Sequence, residues 1–215
     1  MSQVATRPPT KATRASSAGA KRFHHGSLKQ SLLDAALAAP DIEGVSLNQL
    51  AAGAGVTPAA VYRHFAGREE LLADVARIGF DRLEARFAQA IDIRRPPETA
   101  AAAALRLARL AKAYLGFADD EPALWRLMFG SKAAAYRARA RPPERRNTYD
   151  YLTAALSGLH LAGVIPRSHD AQDALFAWSA IHGAATLRSG RVPSALGEVG
   201  ALANDIATRV IRALQ

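Results

Sequence analysis

The chain has 215 residues, 49% hydrophobic and 22% charged, with a formal net charge of +9 and no cysteine. That length accommodates a small domain plus a larger one with a sizeable core, and the missing thiols exclude disulfides, thiolate metal sites and thiol redox sensing. No stretch approaches the ~18 uninterrupted apolar residues of a membrane span and the start lacks a signal peptide's apolar core, which together predict a cytoplasmic protein.

Six positive residues, Arg7, Lys11, Arg14, Lys21, Arg22 and Lys29, precede the first acid, Asp34. Residues 1–21 are rich in Ala, Ser, Thr and Pro without a periodic apolar pattern, and read as a disordered basic arm. A solvated tail is the bland alternative. Beside the helical segment that follows, the arm suits DNA.

The first predicted helix opens on a Ser27/Gln30 capping box, carries Leu28, Leu32, Ala35 and Ala36 on one stripe, and stops at Pro40. The second opens on Ser46, with Gln49 completing a capping box and Val45 and Leu50 placed as a hydrophobic staple. Its stripe is Leu47, Leu50, Ala51 and Ala54, and Gly55 ends it. The third has Thr57 as N-cap and Pro58 at the first helical position, with Val56 and Val61 as staple and Val61 and Phe65 facing inward. Pro58, Ala59, Ala60, Arg63 and His64 are left on its outer surface. A fourth, long helix starts near Gly67 with Glu69 and Glu70 in its first turn, and runs toward Ala90 on Leu71, Leu72, Val75, Phe80, Leu83 and Phe87.

Two short helices joined by a tight glycine turn have the layout of a helix-turn-helix DNA reader. Leu50-Ala51, Ala54-Gly55-Val56-Thr57, Val61-Tyr62-Arg63-His64-Phe65 and Arg68-Glu69-Glu70-Leu71-Leu72 resemble the TetR family of transcriptional regulators, as does the opening Phe23-His24-His25-Gly26-Ser27-Leu28. The resemblance covers residues 22 to 90. Position 68 is Arg where the family commonly has Lys, which keeps the positive charge. Farther on, Trp178, His182 and Gly183 resemble the signature of one carboxy-terminal class, the WHG type.

On this reading Thr57, Tyr62, His64 and Arg68 face phosphates, a role that the resemblance implies for the last three. The amide-rich helix start near Gly26 and Ser27 offers a further phosphate site. Base reading falls to Pro58, Ala59, Ala60 and Arg63, of which only Arg63 has the fork that grips a guanine edge. One short recognition helix covers few base pairs, so useful specificity requires two half-sites and a homodimer on a roughly palindromic operator.

Arg95, Pro96 and Pro97 mark the break after the fourth helix. An amphipathic helix follows, with Leu107, Leu110, Ala111, Tyr114 and Leu115 on one face and Arg106, Arg109 and Lys112 on the other. Asp119, Asp120 and Pro122 punctuate the chain before a short apolar helix holding Leu124, Trp125, Leu127, Met128 and Phe129, closed by Gly130. Arg137–Arg146 reads as a mobile, solvated loop or helix end rather than as a second DNA site, and helix resumes near Arg146 to end by Gly163. Two final helices, with stripes Leu175/Trp178/His182/Ala185 and Val199/Ala203/Ile206/Val210/Leu214, are the candidates for subunit pairing in a four-helix bundle.

The expected architecture is all-α: residues 22–66 form a three-helix helix-turn-helix domain and residues 67–215 a helical ligand-binding and dimerisation domain. Ligand candidates are Tyr114, Trp125, Met128, Phe129, Trp178 and His182, with Phe117, Tyr149 and Phe176 in the same region. A packed core accounts for any one of these aromatics. The expected function is a ligand-responsive repressor bound to double-stranded DNA and controlled by a small-molecule effector, and the alternative is a DNA-binding dimer without effector. No HExxH, GxSxG, phosphate loop or cysteine nucleophile is present, so no catalytic, metal or cofactor site is expected.

Overall fold

The computed structural model describes residues 25–140, 148–190 and 197–215, and those residues form ten helices and no strand. The basic arm of residues 1–21 and the arginines at 141, 145 and 146 lie outside the described residues. The helices are α1 (His25–Leu37), α2 (Leu47–Gly53), α3 (Pro58–Tyr62), α4 (Arg68–Ala90), α5 (Ala100–Asp120), α6 (Pro122–Phe129), α7 (Ala133–Ala140), α8 (Thr148–Leu161), α9 (Ala171–Ser189) and α10 (Val199–Leu214). Among the described residues no helix is long and apolar enough to cross a membrane.

Local signals set the short helices. The Ser46 side chain accepts from the backbone N–H of Gln49 while the Gln49 side chain accepts from the N–H of Ser46, both at 3.2 Å. The Thr57 hydroxyl accepts from the N–H of Ala60 at 3.3 Å, and Pro58 stands where a missing N–H costs nothing. Between α2 and α3, Gly55 takes φ +66°, the left-handed conformation that glycine adopts without steric cost.

α4 runs out of this three-helix unit into the larger one. Its buried Leu71, Leu72 and Val75 belong to the first turns, and Leu83 and Phe87 lie two and three turns farther along. Lys29 on α1 pairs with Asp74 at 2.7 Å and lies 5.3 Å from the centre of the Phe65 ring, tying α1 to both α4 and the end of α3. α5 is the centre of the larger unit, buried along Leu107, Leu110, Ala111, Tyr114, Leu115 and Phe117 and packed by α4, α6, α8, α9 and α10. Gly79 lets α6 approach α4, for a Cβ there would meet Met128 Sδ at 2.4 Å.

Three expectations change. α1 already includes His25 and Gly26, so Ser27 lies inside its first turn rather than at its cap. A capping signal is worth about 1 kcal/mol and Gly26 costs about as much in a helix, too little to fix the boundary against packing of Leu28, Leu32 and Leu33. Arg137 to Ala140 form a helix end, one of the two readings given for this stretch, and the helix they close, α7, packs on α4 and α6. On α9 the buried face is Ala174, Ala177, Ile181 and Ala185, which leaves Leu175 48% exposed and Trp178 and His182 at the edge. The apolar stripe of α10, Ala203, Ile206 and Val210, is spent within the chain, since α10 packs on α5 and α9.

Candidate nucleic-acid interface and aromatic interior

α3 has two unlike sides. Val61 and Phe65 are fully buried and fix the helix to the three-helix core, whereas Thr57, Pro58, Ala59, Tyr62 and Arg63 are exposed and Ala60 and His64 half-buried. Tyr62 is 53% exposed, which excludes it from the small core. The outward set therefore joins a guanidinium, a phenol and small apolar side chains on one surface, groups able to meet base edges, phosphate oxygens and thymine methyls.

Arg68 is half-buried at the start of α4, and its Nε–H donates to the carbonyl of Val45 at 2.9 Å. It thereby ties the start of α4 to the turn that leads into α2. Gly26 lies in the first turn of α1 with Ser27, a place fixed by the backbone alone.

The interior candidates converge more closely than their spacing implies. Tyr114 on α5, Trp125 and Phe129 on α6 and His182 on α9 form one cluster, with centroid distances of 5.0 Å for Tyr114–Trp125, 4.4 Å for Trp125–Phe129 and 5.0 Å for Phe129–His182. Trp178 stands 5.1 Å from the His182 ring. Tyr114 Oη lies 2.9 Å from His182 Nδ1 and accepts from Trp178 Nε1–H at 3.3 Å. An indole can only donate, so the phenolic oxygen is the acceptor in the Trp178 contact, while the direction of the Tyr114–His182 bond follows the imidazole tautomer. Met128 is fully buried beside this cluster, against α4 at Gly79.

Two members escaped the sequence reading: Phe87 on α4, stacked on Tyr114 at 5.9 Å, and Tyr151 on α8, 5.6 Å from Phe87. Phe87 reads as part of the apolar stripe of the fourth helix and Tyr151 is not singled out, and local spacing does not say that these two rings from distant helices join the cluster of Tyr114. Tyr149 and Phe176 stand outside the cluster, 41% and 47% exposed, because α8 and α9 turn them to the surface. Phe117 is buried 6.4 Å from Trp125 and carries the Arg86 guanidinium over its other side at 5.3 Å.

The acidic step between α5 and α6 anchors three arginines from two other helices. Arg82 on α4 reaches Glu121 at 2.6 Å and Arg86 reaches Asp120 at 2.7 Å. Arg188 on α9 grips Asp119 through Nε and Nη2 at 2.9 and 2.5 Å, and its Nη1–H donates to the Gly197 carbonyl at 2.8 Å. The Asp119 carboxylate stabilises the charged guanidinium and holds it above the usual arginine range. The α5–α6 corner therefore connects the interior cluster to α4, and α4 to the helix-turn-helix.

Comparison with known proteins agrees with this architecture. Residues 32–75 match the family described as bacterial regulatory proteins, tetR family, and residues 107–214 match the tetracyclin repressor-like C-terminal domain. An HTH-type transcriptional regulator of Mycobacterium tuberculosis is 32% identical over 102 residues, 47% of this chain, and the match spans only 41% of that relative's length. The solved structure of a protein of unknown function from a Rhodococcus species aligns with a TM-score of 0.69 at 30% identity, covering 90% of this chain and 98% of that one. The TetR family regulator PfmR of Thermus thermophilus shares the fold at a TM-score of 0.57 and 21% identity, covering 86% of this chain and 99% of its own. With both halves matched, and with α2 and α3 forming its helix-turn-helix, the chain belongs to the tetR family of transcriptional regulators.

Proposed function

We propose that the protein is a homodimeric, effector-responsive repressor that reads a roughly palindromic operator. The observation that carries this reading is the two-sided α3: Val61 and Phe65 buried, Tyr62 and Arg63 exposed on a short helix whose start is fixed by Thr57 and Pro58. Pro58, Ala59, Ala60 and Arg63 read bases, and Thr57, Tyr62, His64 and Arg68 set register on phosphates, with the α1 start at Gly26 and Ser27 adding a backbone contact. Residues 22–66 are the DNA-binding unit and residues 67–215 the sensing and pairing unit.

The exposed side of α9 supports pairing. Leu175, Phe176 and Leu187 are each about half exposed on one face, with small Ser179 and Gly183 between them. A second copy of α9, flanked by the outer side of α10, covers this face in a symmetric four-helix contact.

The effector acts at the aromatic cluster. A ligand among Tyr114, Trp125, Met128, Phe129, Trp178 and His182 displaces α6, which touches α4 at Gly79 and through the Phe80–Phe129 edge contact at 5.6 Å. α4 then carries the change to the reader. A coupling of about 1–3 kcal/mol shifts operator affinity by roughly fivefold to a hundredfold.

The tight ring contacts of that cluster favour the second reading, a DNA-binding dimer whose interior is core alone. Footprinting on the DNA upstream of the protein's own coding region, followed by addition of cell metabolites, separates the two. The effector reading expects a metabolite fraction that releases the footprint, and the second expects none; absence of any footprint rejects both.

A further inference from the structure

A symmetric reader of two half-sites has to hold its recognition helices a fixed distance apart. The path from the outer face of α9 to α3 is traceable in ion pairs. Arg188 follows Leu187 on α9 and grips Asp119 through two nitrogens, while its Nη1–H donates to the Gly197 carbonyl ahead of α10. The next two acids in the chain, Asp120 and Glu121, are held by Arg86 and Arg82 of α4 at 2.7 and 2.6 Å, and Arg86 also stands over the Phe117 ring. Three consecutive carboxylates therefore fasten α9 on one side and α4 on the other. At its other end α4 carries the reader as one piece. Lys29 pairs with Asp74 at 2.7 Å, Arg68 donates to the Val45 carbonyl at 2.9 Å, and the α7 junction buries Tyr136 near Glu43 and Arg68. From Arg86 to Arg68 the lever is roughly 27 Å at 1.5 Å per residue, so a tilt of about 4° at the corner moves its far end by about 2 Å. Two such shifts of opposite sense amount to about one base-pair step of roughly 3.4 Å.

We propose that Arg82, Arg86 and Arg188 are positioning residues for DNA reading: through Glu121, Asp120 and Asp119 they fix the angle of α4, and with it the separation of half-sites that the dimer accepts. The inference rests on the readings of α3 as recognition helix and of α9 as pairing face given above. Burial of Leu83 and Phe87 also holds α4 to the larger unit, but apolar packing is non-directional, whereas a hydrogen-bonded ion pair prefers one geometry. The Arg82 and Arg86 pairs lie at the surface, where such pairs add little to stability. Their loss therefore leaves the fold standing and frees the angle. The competing role for these arginines is general support of the corner, and its loss would weaken binding at every separation alike.

The test takes the half-site that the full wild-type chain selects from a random duplex pool and places two inverted copies of it at separations stepped by one base pair. Affinity for each duplex is measured with wild type, Arg82→Gln/Arg86→Gln, Arg82→Glu and Arg82→Glu/Glu121→Arg. Wild type is expected to favour one separation over its single-step neighbours by about fivefold or more, a ratio in the range of couplings between distant sites. The glutamine variant and Arg82→Glu are expected to flatten that ratio while keeping the affinity for a single half-site, and the second charge reversal to restore it. Every duplex in the series presents the same half-sites, so counterion release cancels from the ratio, and its decline with potassium chloride reports screening of the corner itself. A glutamine variant that keeps the wild-type optimum and ratio overturns the proposal, as does one that loses the same factor at every separation. A wild type that selects no half-site removes the reading of α3, and one that sediments as a monomer removes pairing through α9; either result takes this inference with it.

Discussion

Tyr114 and His182, 68 residues apart, are joined by a 2.9 Å hydrogen bond between the phenol and Nδ1, and the Trp178 indole donates to the same phenolic oxygen. One hydroxyl thus serves two partners from α9. Tyr114→Phe leaves the indole N–H and the imidazole nitrogen without that oxygen in a buried setting, which costs about 1–3 kcal/mol. Urea or thermal unfolding is expected to show that loss, with the helical far-UV signal of the folded state unchanged. A variant as stable as wild type would mean that the network contributes nothing to the fold.

At Gly79 two effects compete. Alanine gains about 1 kcal/mol of helix propensity, but its Cβ lies 2.4 Å from Met128 Sδ and 3.0 Å from Leu124 Cγ, and overpacking of this kind costs about 1–3 kcal/mol. Steric cost wins, so Gly79→Ala is expected to destabilise. In a Met128→Ala background the same substitution should cost less, a coupling that a double-mutant cycle reads from four unfolding curves. Additive effects would place the α4–α6 contact elsewhere.

Burial holds the Tyr136 phenol above the ordinary tyrosine range, and Glu43 and Glu69 push the same way while Arg68 opposes them. A folded value above the unfolded one means that the native state keeps its proton longer, so this contribution is complete below about pH 10 and is lost as pH rises through the folded value. Stability measured from about pH 9 upward should fall less steeply in Tyr136→Phe than in wild type. Identical pH profiles would remove Tyr136 from the α7 junction.

Pairing through α9 gives a size measurement. Leu175→Glu with Leu187→Glu changes two residues that are about half exposed in the protomer, so the fold should tolerate them. Sedimentation should report a dimer for the wild type and a monomer for the variant at the same micromolar concentration. A variant that remains dimeric assigns the interface to another face.

What the sequence made legible was local. The caps at Ser46 and Thr57, the Pro58 start and the Gly55 turn are written in adjacent residues, and each forms as read. α9 was harder because it is apolar on two sides, with Ala174, Ala177 and Ile181 inward and Leu175, Phe176 and Leu187 outward. Periodicity cannot rank two such faces, and only the partner helices do so. Asp119 and Asp120 read as punctuation together with Pro122, yet with Glu121 they anchor Arg188, Arg86 and Arg82, because ion pairs between helices leave no trace in spacing. The interior cluster was legible by residue type, in Tyr114, Trp125, Phe129, Trp178 and His182, while Phe87 and Tyr151 entered it only through long-range packing.

The central claim is that the exposed side of α3 selects a DNA sequence, and competitive binding of the full chain to a selected duplex against a random one at moderate salt tests it most directly. The account expects a preference of at least about a thousandfold, the lower range for specific regulators, which collapses in Arg63→Ala while phosphate-driven binding to the random duplex persists. Equal affinity of the wild type for both duplexes would contradict it.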